Sequence, residues 1–171
     1  MLRSERVILR PWQEADVAAL LELRNDFALQ SMLMTQPRPN TVERVRAWLT
    51  GKSSTPNVLF FVIEDVATGS ACGYIQAVDL DTLNGTCTCG VCIRPSEHGS
   101  GIGREALTLL EAYLHGTFAI RKIVVQVLGK NARARRFFGG RGFHEVGTLR
   151  QHFLHDGALE DVVLLEKFLS P

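Results

Sequence analysis

Residues 95–114 read PSEHGSGIGREALTLLEAYL, which sets Gly99, Gly101 and Gly103 against the start of a helical pattern. Ile102, Ala106, Leu109, Leu110, Tyr113 and Leu114 fall on one stripe with Arg104, Glu105, Thr108 and Glu111 opposite, the period of an amphipathic helix of about three turns. Glycines ahead of a helix let several amide hydrogens converge on one anion, and the helix dipole adds to the pull, so the stretch points to a phosphate. A tight turn without a ligand is the alternative, although one or two glycines suffice for that. Two familiar phosphate motifs do not fit. The dinucleotide fingerprint needs its third glycine where Arg104 stands, and no Gly-Lys-Ser or Gly-Lys-Thr follows at the P-loop offset.

Upstream of the loop, Val58–Asp65 (VLFFVIED), Cys72–Val78 (CGYIQAV) and Thr86–Ile93 (TCTCGVCI) read as three antiparallel strands, with turn chemistry at Thr68-Gly69-Ser70 and Asn84-Gly85. A short strand, Arg6–Arg10, ends at Pro11, and helices are expected over Glu14–Asn25 and from Thr41, a capping residue, to Leu49. Asp26–Asn40, with Pro37 and Pro39, is expected to be irregular, and Gly51–Asn57 to be a loop. Downstream come a strand at Lys122–Leu128, a helix over Ala132–Arg141 closed by Gly142, and two strands in Phe143–Phe168 around Asp156-Gly157. A strand, helix, strand passage after the meander implies one parallel pairing in a mostly antiparallel sheet.

At 171 residues the chain has room for one core, so residues 1–171 are read as a single domain. Lys and Arg number 19 against 18 Asp and Glu, for a net charge of +1. So even a balance gives no footprint for nucleic acid or an anionic membrane. The N-terminus alternates charged and apolar residues and lacks a signal-peptide core, and a cytoplasmic setting is expected. Cys72, Cys87, Cys89 and Cys92 then read as buried thiols. Zinc is disfavoured, because Cys87 and Cys89 share one strand face while Cys92 points to the other; no metal is assigned.

Beyond these readings, His98-Gly99-Ser100-Gly101-Ile102-Gly103 resembles the (Gln/Arg)-x-x-Gly-x-(Gly/Ala) loop of the GNAT acyl-CoA N-acyltransferases. Asn131–Phe143 (NARARRFFGGRGF) is similar to that family's second signature, and VILRPWQEAD and GALEDVVLL are similar to its ribosomal-protein-alanine and spermidine acetyltransferase branch. The resemblance implies a mixed α+β fold: a central, mostly antiparallel twisted sheet of about seven strands with one parallel splayed pair, flanked by about four helices. It also implies acetyl transfer from acetyl-CoA to a primary amine, whether a protein N-terminus, a polyamine or an amino sugar, by a monomer or homodimer. A coenzyme in that fold would meet Val91 and Ile93 on the splayed strand, the loop from His98 through Gly99, Ser100, Gly101, Ile102 and Gly103 to Arg104, and Asn131, Arg136 and Phe138 beyond. Relatives border the acceptor pocket with the segments that here carry His152, His155, Asp156 and Glu160, and the remaining wall is expected from Asp26–Asn40.

The chain departs from the family at three points. Where many members carry a tyrosine that protonates the thiolate, the residue is Phe138; where relatives often place a glutamate on the central strand, it is Thr88; and His98 replaces Gln or Arg. Thr88 and Asn131 are the catalytic candidates that remain, with Asn131 equally readable as a helix cap. Arg133, Arg135 and Arg136 read either as phosphate partners or as a solvated helix face, and Phe137 and Phe143 as core. An acyl-CoA-binding module without turnover is the alternative function, and a purely structural interaction domain fits the intact glycine loop least.

Overall fold

The structure, a computed structural model, describes residues 1–169. Its eight strands are β1 (Leu2–Arg3), β2 (Val7–Arg10), β3 (Leu59–Asp65), β4 (Ser70–Asp81), β5 (Thr86–Ile93), β6 (Lys122–Leu128), β7 (His144–His155) and β8 (Ala158–Phe168). They form one sheet in the order β1-β2-β3-β4-β5-β6-β8-β7. Only β5 and β6 pair in parallel, joined by the helix that follows the glycine loop. Five helices flank the sheet: α1 (Val17–Asn25), α2 (Phe27–Met32), α3 (Val42–Ser54), α4 (Ile102–Phe118) and α5 (Ala132–Gly139). None is long and apolar enough to cross a membrane.

Side-chain alternation divides the interior into two layers. On one face the α4 stripe of Ile102, Ala106, Leu110 and Leu114 packs on Val7, Leu9, Ile75, Ala77, Cys87, Cys89, Ile123 and Val125. The other face buries Leu20, Leu29, Val45 and Leu49 of α1–α3 against Phe60, Val62, Tyr74 and Cys92. Each such aliphatic side chain contributes about 1.5–3 kcal/mol of burial. Cys92 thus lies on the opposite face from Cys87 and Cys89, and all four cysteines are free and buried. Arg10 fixes the N-terminal strand: it donates to both Asp16 carboxylate oxygens, at 2.7 and 2.9 Å, and to Glu64 on β3.

Several sequence expectations need correction. The mixed sheet with one parallel pair is as expected, and what the sequence left out is its short first strand: Ser4 turns the chain, its amide donating to Val7 O at 2.9 Å, so that Leu2–Arg3 pairs with β2. There are five helices, not about four. Asp26 accepts from Leu29 N at 2.9 Å and caps α2 inside the stretch expected to be irregular; Pro37 and Pro39 lie beyond it. Helix α3 continues through Gly51–Ser54, where Ser53 donates to Leu49 O at 3.0 Å and the polar residues bond back to the helix. Helix α4 runs 17 residues rather than three turns and stops only where Ala119 turns left-handed, at φ 53°. Helix α5 ends at Gly139 rather than Arg141. The hairpin at Asp156-Gly157 is as expected, both residues having positive φ, 51° and 78°.

Candidate active site

The glycine loop leaves β5 through a short turn at Pro95–Glu97 and enters α4 at Gly101. Gly99 and Gly101 sit at φ 85° and 94°, where a side chain is strained, so the backbone itself faces outward. The first bond of the helix is Glu105 N to Gly101 O, 3.1 Å. The amides of Gly99, Gly101, Gly103 and Arg104 have no backbone acceptor among the described residues. Ser100 closes the turn from within, donating to Glu97 O at 2.7 Å and accepting from Ile102 N at 3.4 Å. Gly103 matters for packing as well, since a Cβ there would come within 2.7 Å of Ile93 Cδ1 and 3.4 Å of Phe137. It lets α4 lie close on β5.

Beside the loop the sheet opens. Strands β5 and β6 pair only at Thr86–Lys122, Cys87–Ile123 and Thr88–Val124, whereas β6 remains paired to β8 as far as Leu128–Val162. From Cys89 onward β5 is bonded to β4 alone. Arg94 N donates to Cys72 O on the β4 side at 2.8 Å, so alternation turns the backbone groups of Val91 and Ile93 toward the opening. Unpaired strand groups at an opening can accept an extended ligand as an added strand.

A cavity of about 310 Å³ runs along this fork. It is lined by Val91 and Ile93 of β5, by Gly99, Gly101, Gly103 and Arg104 of the loop and the start of α4, and by Asn131, Phe137 and Phe138. Asn131 caps α5, accepting from Ala134 N at 3.0 Å, and its Nδ2 donates to Met32 O at 3.4 Å, which ties α2 to α5 across the cavity. Phe138 is buried and packs edge-on to Phe137 and Phe143, with centroids 5.1 and 5.2 Å apart.

The electrostatics suit an anion. Arg104, Arg133 and Arg141 line the cavity, and Arg6 Nη1 would be 3.1 Å from a Cβ on Gly101, so a fourth guanidinium stands over the loop. His98 is neutral: its Nε2 donates to Ile93 O at 3.0 Å while Nδ1 accepts from Arg133. Burial, and then the Arg133 charge, hold its pKa below the ordinary value. The Cys92 thiol, also in the wall, is pushed up to about 12, chiefly by burial, and supplies no thiolate nucleophile near neutral pH.

A positively charged glycine loop, a forked sheet and a slot between them are matched by comparison with known families. Residues 6–144 match the model described as Acetyltransferase (GNAT) domain. The chain belongs to the GNAT acetyltransferase family. Acyl transfer is therefore its class of chemistry. It is similar to the spermidine N(1)-acetyltransferase of Vibrio cholerae, 23% identical over 172 residues that cover 98% of each chain. The crystal structure of the V. cholerae spermidine N-acetyltransferase in complex with CoA and spermine superposes with a TM-score of 0.88 at 19% identity, covering 97% of both chains. A GCN5-related N-acetyltransferase from Brucella melitensis has a TM-score of 0.83 at 24% identity, covering 98% of this chain and 77% of its own. These likenesses establish the GNAT fold.

Within that fold the structure gathers Val91, Ile93, His98, Gly99, Gly101, Gly103, Arg104, Asn131 and Phe138 around the one cavity. Ser100 and Ile102 do not line it; the first braces the loop and the second is core. Arg136 is on the exposed side of α5. Thr88 is outside the cavity too, at the last rung before the strands part. Leu29, Met32 and Leu33, inside the Asp26–Asn40 stretch expected to border the acceptor but not named there as coenzyme-side residues, form a further wall of this cavity. A second cavity, about 550 Å³, lies between residues 27–37 and the β7–β8 turn at 153–157, and Met32 lines both cavities.

Proposed function

We propose that this GNAT chain transfers an acetyl group from acetyl-CoA to a primary amine by direct attack in a ternary complex. The observation that carries the proposal is the parting of β5 from β6 beside a glycine loop with free amides. In this reading the amides of Gly99, Gly101, Gly103 and Arg104, with the Arg6 and Arg104 side chains nearby, hold the pyrophosphate. Val91 and the Ile93 amide offer backbone bonds to the pantetheine arm, and a β5 amide polarises the thioester carbonyl. The second cavity receives the amine, which reaches the first cavity past Met32.

Few side chains remain for proton transfer. Phe138 has no proton to give, Thr88 is a weak base at the fork, and the Asn131 carboxamide oxygen is engaged as a cap. Catalysis then rests on holding the amine against the acyl carbon, worth up to about 7–11 kcal/mol, with water taking the ammonium proton and protonating the departing thiolate. The high Cys92 pKa supports direct attack over an acyl-cysteine.

Thermal unfolding with and without acetyl-CoA, followed by thiol release over a panel of primary amines, tests the proposal. Ligand at about 100 times its Kd should stabilise the fold by about 2.7 kcal/mol. No shift would remove the coenzyme reading. A shift with no thiol release for any amine would favour a binding module without turnover, the reading that Phe138 and Thr88 motivate.

A further inference from the structure

We infer that the second cavity selects an amine with an apolar body and one neutral hydrogen-bonding group, read by His155, and that it discriminates against polyamines and carboxylates. The inference rests on the transferase reading above and deepens it.

His155 ends β7 and is 4% exposed, yet neither ring nitrogen has a hydrogen-bond partner among the described residues. Its Nδ1 is 3.2 Å from Asp156 Oδ2, without the alignment of a hydrogen bond. Buried polar groups in folded proteins are nearly always paired, so this orphaned imidazole beside the cavity, its nitrogens covered by neighbouring atoms, marks a group that a ligand satisfies once the ring turns outward. A neutral imidazole both donates and accepts, which suits an amide or hydroxyl.

The rest of the wall sets the character of the ligand. Phe27, Met32, Pro37 and Phe153 are apolar, and Ser31, Thr35 and Gln36 add only uncharged groups, two hydroxyls and a carboxamide. Asp156 is the one carboxylate in the lining, with its side chain 81% exposed at the rim. A polyamine brings several ammonium groups beyond the reacting nitrogen, and with Asp156 as the one carboxylate among the lining residues, at most one of them is paired and the next is desolvated without a partner. A carboxylate on the acceptor would meet Asp156 as a like charge.

The test uses the full chain with acetyl-CoA and four acceptors: phenylalaninamide, phenethylamine, phenylalanine and spermidine. Phenylalaninamide should exceed each of the others about tenfold or more in kcat/KM, because a site built around a hydrogen bond rejects partners that lack it. His155→Leu should collapse the ratio of phenylalaninamide to phenethylamine about tenfold through the amine KM, with the KM for acetyl-CoA unmoved, and His155→Gln should restore part of it. If His155→Leu does not fold, Asp156→Asn decides, since asparagine tolerates the left-handed φ of 51°. It should raise phenylalanine turnover about tenfold, and unchanged discrimination would overturn the inference. Thiol release led by spermidine overturns the acceptor class alone; no release from any amine, with the acetyl-CoA thermal shift intact, removes the transferase reading and this inference with it.

Discussion

His98 donates from Nε2 to the Ile93 carbonyl at 3.0 Å, and because Arg133 donates to the same ring's Nδ1, it clamps the end of β5 to α5 only as a neutral imidazole. Its pKa is lowered below the ordinary 6.5 by burial first and by Arg133 second, with the Ile93 bond opposing both. The unfolded chain therefore takes up the proton first as pH falls. Stability from the neutral ring is fully present above about 6.5 and declines as pH drops toward the folded-state value. Urea midpoints between pH 8 and pH 5 should fall further for the wild type than for His98→Gln; parallel slopes would contradict the clamp.

Gly101→Glu should abolish stabilisation by acetyl-CoA. The substitution forces a side chain onto a φ of 94° and delivers a carboxylate beside Arg6, 3.1 Å from the new Cβ. Isothermal titration reads the loss directly, and wild-type affinity in the variant would remove the loop from the coenzyme site.

Gly73 faces the same strand from the other side. A Cβ there would stand 2.2 Å from the Cys92 carbonyl oxygen, so Gly73→Ala must push β4 from β5 next to the fork. Overpacking of this kind costs about 1–3 kcal/mol. Denaturant melts should show that loss together with weaker acetyl-CoA binding, since Val91 and Ile93 move with the strand.

For Asn131, two substitutions separate its two bonds. Asn131→Ala removes the α5 cap and should cost about 1 kcal/mol. Asn131→Asp keeps an acceptor for Ala134 N but loses the donor to Met32 O, so it should stay near wild-type stability while raising the amine KM through a loosened α2. Equal stability losses in both would show that capping is not its structural role.

Most of the fold could be read from local chemistry. The Thr86–Ile93 strand, the Asp156-Gly157 hairpin and the parallel pairing across α4 follow from period, left-handed turn residues and element order. Helix α2 was hidden because six residues between a cap and two prolines carry too little periodicity, and with it went the Met32 wall. Gly103 was legible as the third glycine of the loop, but the contact with Ile93 that also requires a glycine there is tertiary and has no local signature. His155 could be placed on the acceptor side by resemblance, but its unpaired nitrogens emerge only from packing.

Among the described residues, three rungs, Thr86–Lys122 to Thr88–Val124, and the bonds that Arg121 N and Lys122 N donate to Gly85 O beside them stitch the β1–β5 half of the sheet to the β6–β8 half along one short stretch. That makes the fork a fault line as well as a berth. A pantetheine arm lying along Val91 and Ile93 would lengthen the seam, so the donor's concentration would govern how often the two halves breathe apart. Amide exchange at these two positions would slow on saturation, and proteases would lose their entry at the same time.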